Sequence, residues 1–399
     1  MKASKRHNIF LLIPFLLSLY ACGGGEKNDF GGQVPNNPEG ATVLGCNDFN
    51  NDITLEDEAG REVDYIIDCL VVVDDIEIEI IDGAVVEFTE NSGMIFQQGS
   101  RVNIFALAGA VPKVILRGNQ SQSGYWKGIR IESDQGSNFM QGVEVHGAGS
   151  KSDSRFYGAV TISGGAKLRD SLINNSANYG VYYENDIGTW NEFSNMEITN
   201  SASYPVRIGA QEVGELGGAI PPLGITVVNA YSGNNPDRIK VFSEVAEKSM
   251  TFRNQGIPFE IDSTITANGI LSIEDNVELI FKSGSRLVVN LQISAWDDGG
   301  DPIIFRSHDD VAGGWQGILI DTEDGGDGWS TLDNVIIENG GEEIFGSANV
   351  SIASGNVKIR NSIIQNSRTC GVRITDPGIL STDLNNTYLN NQAGHICEN

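Results

Sequence analysis

Beyond residue 45, apolar residues fall in short runs of β-branched and aromatic side chains, punctuated by Gly, Asn, Asp and Ser. Val71–Val73, Ile76–Ile81, Val85–Phe88, Val114–Leu116, Ile129–Ile131, Val143–Val145, Val160–Ile162 and Val181–Tyr183 recur every eight to twelve residues. That spacing predicts short strands, and no stretch carries the 3.6-residue period of an amphipathic helix. The Asn-Gly and Asp-Gly pairs that close hairpins are scarce between these runs, which argues against a sandwich of antiparallel neighbours.

The pattern occurs twice. Ile78–Phe88 (IEIIDGAVVEF) lies over Leu271–Phe281 (LSIEDNVELIF) at an offset of 193. Val114–Arg117 lies over Ile303–Arg306 at 189, as does WKGIRI (126–131) over WQGILI (315–320). RDSLINNSANYGV (169–181) lies over RNSIIQNSRTCGV (360–372) at 191, with seven identities in thirteen. Collinear matches at nearly constant offset mark two tandem copies. The expected organisation is copy 1 over 46–208, a junction over 209–250 within the same solenoid, and copy 2 over 251–399. Asn174-Asn175, Asn366-Ser367, Asn385-Asn386 and Asn390-Asn391 each follow an apolar pair. Asn tolerates the left-handed region, so these pairs predict bends, with amides bonding from one coil to the next.

LSIEDNVELIFKSGSRLVV (271–289), GGWQGILI (313–320), its partner GYWKGIRI (124–131) and the Asn ladders resemble the right-handed parallel β-helix of the pectate-lyase-like superfamily. The resemblance covers roughly residues 46 to 399 and implies an all-β, single-stranded right-handed solenoid in two tandem copies. At about 20 to 27 residues per coil, roughly 13 to 16 coils would form a rod of about 60 to 75 Å. Cys46 and Cys69, 23 residues apart, and Cys370 and Cys397, 27 apart, are each separated by about one coil. One coil is disulfide reach, so 46–69 and 370–397 bridges would staple the two ends of the solenoid, where coils have a neighbour on one side only.

The amino terminus reads as an address. Lys2, Lys5 and Arg6 precede an apolar run, Ile9–Tyr20, that is too short to span a bilayer. It ends in Leu19-Tyr20-Ala21-Cys22, which resembles the lipobox of bacterial lipoproteins. That resemblance implies a signal peptide over 1–21, acylation of Cys22 (palmitate among the chains) and membrane attachment. Residues 22–45, rich in Gly, Asn, Pro and acid, form a flexible tether, and the expected location is the outer membrane, exposed at the surface.

With 26 Lys and Arg against 53 Asp and Glu, the formal charge is −27. A nucleic-acid partner is therefore excluded, because phosphate binding needs clustered cations. Three sets of residues carry candidate chemistry. Arg117, Lys127 and Arg130, on one potential face next to His146, form a basic patch of the kind that a polysaccharide lyase would need for proton abstraction and carboxylate neutralisation. Asp321, Glu323, Asp324 and Asp327 sit on a Gly-rich loop and offer the hard oxygen ligands that calcium prefers, although Leu332 replaces the acid an EF-hand needs at its twelfth position. Trp190, Trp296 and Trp329 have no duplicate and are candidates for stacking on sugar rings, whereas the duplicated Trp126 and Trp315 read as coil-corner packing. Arg238-Ile239-Lys240 and Val145-His146-Gly147 echo polygalacturonase motifs, but the paired aspartates are not at the required spacing. The expected function is a surface-anchored, non-catalytic β-helix that binds or displays glycan in the manner of an adhesin. The alternative is a polysaccharide lyase or another carbohydrate-active enzyme.

Overall fold

In the computed structural model, described residues run from 40 to 398, apart from 107–112, 185–189, 218, 221–224, 227–228, 243, 297–298, 323–328 and 343–346. The strands are three to five residues long in most cases and alternate side chains inward and outward. Glu77–Ile81 and Arg101–Phe105 bury their second and fourth residues and leave the others accessible. Each strand pairs in parallel with the strand one coil later. The chain is thus a parallel β-helix, and the one antiparallel pair among the described strands is Ala219–Ile220 with Ile225–Thr226.

One sheet of thirteen strands (sheet 1) runs the length of the solenoid, from Leu70–Val73 to Thr387–Leu389. Its twelve inter-strand steps of about 4.8 Å give a stack of about 58 Å, close to the shorter expectation. Register carries one inward column up this sheet. Val71 lies against Met94, then Ile129, Val160 and Val181, and the column continues through Phe305 and Ile337 to Ile364. These side chains are buried, each contributing about 1.5–3 kcal/mol of apolar burial.

The other faces change halfway. In copy 1 they are an eight-stranded sheet 2, from Thr42–Leu44 to Ala230–Ser232, and a six-stranded sheet 3, from Ile53–Leu55 to Trp190–Ser194. In copy 2 they are a seven-stranded sheet 4, from Glu244–Ala246 to Gly394–Glu398, and a six-stranded sheet 5, from Met250–Phe252 to Ile379–Leu384. The duplication does not respect the shared sheet. Val114–Gly118 belongs to sheet 2, but its counterpart Ile303–Ser307 belongs to sheet 1; Ile129–Ile131 belongs to sheet 1, but its counterpart Ile318–Asp321 belongs to sheet 4. Each motif of copy 2 is therefore displaced by one strand position relative to sheet 1. The stretch expected to be a junction keeps the helix going. It supplies Ala230–Ser232 to sheet 2 and Ile239–Phe242 to sheet 1, and Glu244–Ala246 already opens sheet 4.

Corners are built as the Asn pairs predict. Asn175, Asn366, Asn385 and Asn390 adopt positive φ. The Nδ2 of Asn390 donates to Asn366 Oδ1 at 3.3 Å, and that of Asn385 to Asn361 Oδ1 at 3.2 Å, each one coil back. Gly128 and Gly317, duplicates of one another, also have positive φ, and a Cβ at either would collide with the carbonyl of Ala159 or Ala348 on the next coil. Both expected disulfides are present. Cys46–Cys69 and Cys370–Cys397 join Cα atoms 5.9 and 6.1 Å apart on neighbouring coils at the two ends.

Candidate functional site

Trp126 and Trp315 hold the duplicated corners. Each indole is buried and stacks on a Phe of the preceding coil, Phe88 at 4.0 Å and Phe281 at 4.2 Å between centroids. Each Nε1–H donates to a backbone carbonyl, that of His146 at 2.8 Å or Glu338 at 2.9 Å. These two tryptophans are core, as their duplication implied.

The four basic candidates do not form one constellation. Arg117 and His146 are register neighbours on sheet 2 and border a cleft of about 430 Å³. Arg117 pairs with Glu87 at 3.0 Å, and His146 Nε2 lies 3.2 Å from Glu144. Lys127 and Arg130 belong to the sheet 1 side. Lys127 pairs with Asp153 at 2.6 Å, while Arg130 is buried between Glu132 and Glu184, both at 2.5 Å. Arg155 and Lys127 together hold the Asp153 carboxyl far below the usual range. Burial works against the charge on Arg130, but its two carboxylate partners raise its pKa overall. A lyase base must be free to face its substrate; here each of the four groups lies against a carboxylate instead. The expected grouping into one basic patch is corrected accordingly: burial and pairing divide it in two.

Of the calcium candidates, Asp321 ends the strand Ile318–Asp321 and accepts a hydrogen bond from Ser354 Oγ at 2.9 Å. Glu323, Asp324 and Asp327 lie outside the described residues. Among the described residues, no three acidic, His or Cys side chains are grouped to hold a metal ion. Cys22 also lies outside the described residues, and no helix among them is long and apolar enough to cross a membrane. Trp190 opens a strand of sheet 3, and its side chain is not among those described.

Trp296 and Trp329 are exposed, at 55% and 43%, and flank one face. The outward row of sheet 5 runs Thr251, Ser272, Ser294, Thr331, Lys358, Thr382, each in register with the next. Trp296 follows the strand holding Ser294, and Trp329 precedes the strand holding Thr331, so the indoles stand at opposite ends of adjacent strands. Gln292 Nε2 bonds Trp329 O at 3.2 Å and fixes that register. Lys358 Nζ sits 4.0 Å over the Trp329 ring, which leaves Trp296 as the freer platform. Beside Trp296 a groove of about 340 Å³ is floored by Thr251, Ser272 and Ser294 and edged by Glu274 and Asp275. In copy 1 the equivalent row of sheet 3 starts with Thr54 and then carries Glu79, Asn103, Phe139 and Lys167 in place of hydroxyls.

One cluster escaped the sequence reading. Glu260, 1% exposed on sheet 1 between the copies, accepts from Tyr204 Oη at 2.5 Å, Arg238 at 2.9 Å and Lys282 at 2.8 Å, with His308 at 3.7 Å. Lys240 and Lys282 also each reach Asp262 at 2.8 Å. Burial alone would raise the Glu260 pKa, but donors from Lys282, Tyr204 and Arg238 outweigh it and the net shift is downward. Burial and the bond to Glu260 push the Tyr204 phenol upward. Its members come from five coils and are far apart in sequence, so no local motif announces it. Arg238 and Lys240, the polygalacturonase-like pair, prove to be part of this ion network.

No protein-family model matches the chain, and no curated protein matches it. A solved structure that it resembles is the Dettilon tailspike protein, at 12% identity and a TM-score of 0.25, covering 84% of this chain. The chain spans 62% of the length of that tailspike chain. The fold assignment rests on the strand pairing described above.

Proposed function

We propose that this protein is a lipid-anchored, surface-exposed β-helix that binds polysaccharide without cleaving it. The observation that carries the reading is the outer face of sheet 5. There an exposed indole stands over a row of small hydroxyls with acidic groups at the edge. Sugar rings present apolar C–H faces and hydroxyl rims, and an aromatic plane beside short polar side chains answers both. The face is also rigid, since register pins each floor residue to the coil before and after it. Acylation at Cys22 and the tether to residue 45 would hold this face away from the outer membrane.

One experiment tests both halves. Cells expressing the full chain are fractionated, and membranes are assayed for capture of fluorescent bacterial and plant polysaccharides. Wild type should keep protein and polysaccharide in the membrane fraction, and Cys22→Ser should release both. Trp296→Ala should leave the protein on the membrane but weaken capture about tenfold, and Trp329→Ala should weaken it less. Capture unchanged in the Trp296→Ala, Trp329→Ala double variant rejects the sheet 5 site, and Cys22→Ser protein remaining membrane-bound rejects the anchor. Release of shortened chains by wild type would reject the non-catalytic reading.

A further inference from the structure

The cleft at the copy 1 corner has no role in the reading above, and its lining has a chemistry of its own. Five of its lining residues, Asn119, Gln120, Gln122, Asn174 and Asn175, carry carboxamides, of which Asn174 already accepts from Thr199 and Asn200 through Oδ1. A carboxamide donates and accepts at adjacent positions, which is the pattern that vicinal hydroxyls of a sugar ring require. The charged groups present are compensated. Arg117 bonds Glu87 through both Nε and Nη2, at 3.1 and 3.0 Å, and Glu144 lies between His146 at 3.2 Å and Lys113 at 3.5 Å. With each basic group already facing a carboxylate, an anionic ligand would gain little net attraction here and would meet Glu87 and Glu144, whereas a neutral polyol would not be penalised.

The lining also holds an unmet demand. Asn119 Oδ1 is buried and takes no hydrogen bond from the protein. An unpaired acceptor is unfavourable, and because Asn119 itself is only half-buried in the cleft wall, a turn of its amide would offer Oδ1 to a ligand hydroxyl. The site is pre-formed. Trp126 anchors the His146 carbonyl beneath it, and Gly147, at φ +67°, lets the loop carbonyl of Gln122 approach where a Cβ would sit 2.9 Å away. At about 430 Å³ the cleft falls in the lower range of small-ligand pockets, which is space for one or two rings.

We infer that the Arg117–His146 cleft is a second binding site, selective for a neutral saccharide unit over a uronate. The inference borrows from the proposed function only the class of ligand, and it is tested where that proposal cannot interfere. Saturation-transfer NMR is run on detergent-solubilised full-length Trp296→Ala, Trp329→Ala protein. The probes are the methyl glycosides of glucose, galactose and mannose, with methyl galacturonoside as the acidic comparison. At least one neutral glycoside should bind at least tenfold more tightly than the galacturonoside. Gln122→Ala, on an exposed loop, and Asn119→Leu, which removes the orphaned acceptor, should each weaken it by about tenfold or more. No binding by any neutral probe, equal or tighter binding of the galacturonoside, or indifference to both substitutions overturns the inference. Polysaccharide capture left unchanged by the sheet 5 substitutions, with this pattern intact, would reject the other site alone.

Discussion

The two tryptophan corners have the same skeleton and different surfaces. In both, an indole stacks on a Phe one coil back, bonds a carbonyl one coil forward and is followed by a Gly with positive φ. The loops above them have diverged. In copy 1, residues 119–122 (NQSQ) leave a cleft walled by carboxamides. In copy 2, residues 308–311 (HDDV) fold onto themselves and onto sheet 1. His308 approaches Asp309 at 2.8 Å and Glu260 at 3.7 Å, Val311 N–H bonds Ser307 Oγ at 3.3 Å, and Arg306 reaches Asp310 at 3.6 Å. Duplication preserved what packs the interior, while the outward side chains specialised: a cleft in one copy, an ion network between copies in the other.

If the skeleton is common, disrupting it should cost the same on both sides. Trp126→Ala and Trp315→Ala each delete a fully buried indole and its hydrogen bond, so each should destabilise the chain by about 4 kcal/mol. Parallel denaturant or thermal unfolding of the two variants checks this. Losses that differ by more than about half would mean that the corners are not equivalent.

A smaller effect separates the ion network from the cores. Glu260 has a folded pKa below its unfolded value, so its contribution is present above about pH 4.3 and is lost as pH falls through the lower folded value. Glu260→Gln should cost about 2 kcal/mol at pH 7, because Lys282 and Arg238 lose their partner but stay partly solvated. Melting curves from pH 7 to pH 3 should show the gap between wild type and this variant narrowing below about pH 4.5. A gap independent of pH would assign the stabilisation to packing rather than charge.

Much of the fold was legible because a solenoid repeats its constraints. Every coil needs the same inward apolar residues and the same Asn or Gly at its bends, so Asn366, Asn390, Trp126 and Trp315 could each be placed from sequence, as could the cysteine pairs. The displacement of copy 2 by one strand position was not legible, since it depends on which strands pair across residues 209–250 and not on either copy alone. The sites were legible only in part. Trp296 and Trp329 stood out by lacking duplicates, but the hydroxyl row beside them is formed by single Ser and Thr residues from successive coils, invisible until register is known. Arg117, Lys127, Arg130 and His146 looked like one basic group because sequence shows cations without the carboxylates that neutralise them: Glu87, Asp153, Glu132 with Glu184, and Glu144.

The claim that one skeleton carries a binding loop in copy 1 and a structural loop in copy 2 is tested most directly by exchanging the loops. His308-Asp309-Asp310-Val311 is replaced by Asn-Gln-Ser-Gln in a chain whose copy 1 cleft is disabled by Gln122→Ala and whose Trp296 and Trp329 are Ala. Binding of the neutral methyl glycoside selected above is then measured by NMR. Recovery of binding to within about tenfold of the original cleft, with cooperative unfolding retained, is the predicted result. A folded exchange variant that binds no glycoside would contradict the account, since the copy 1 loop would then not be what makes the corner a site.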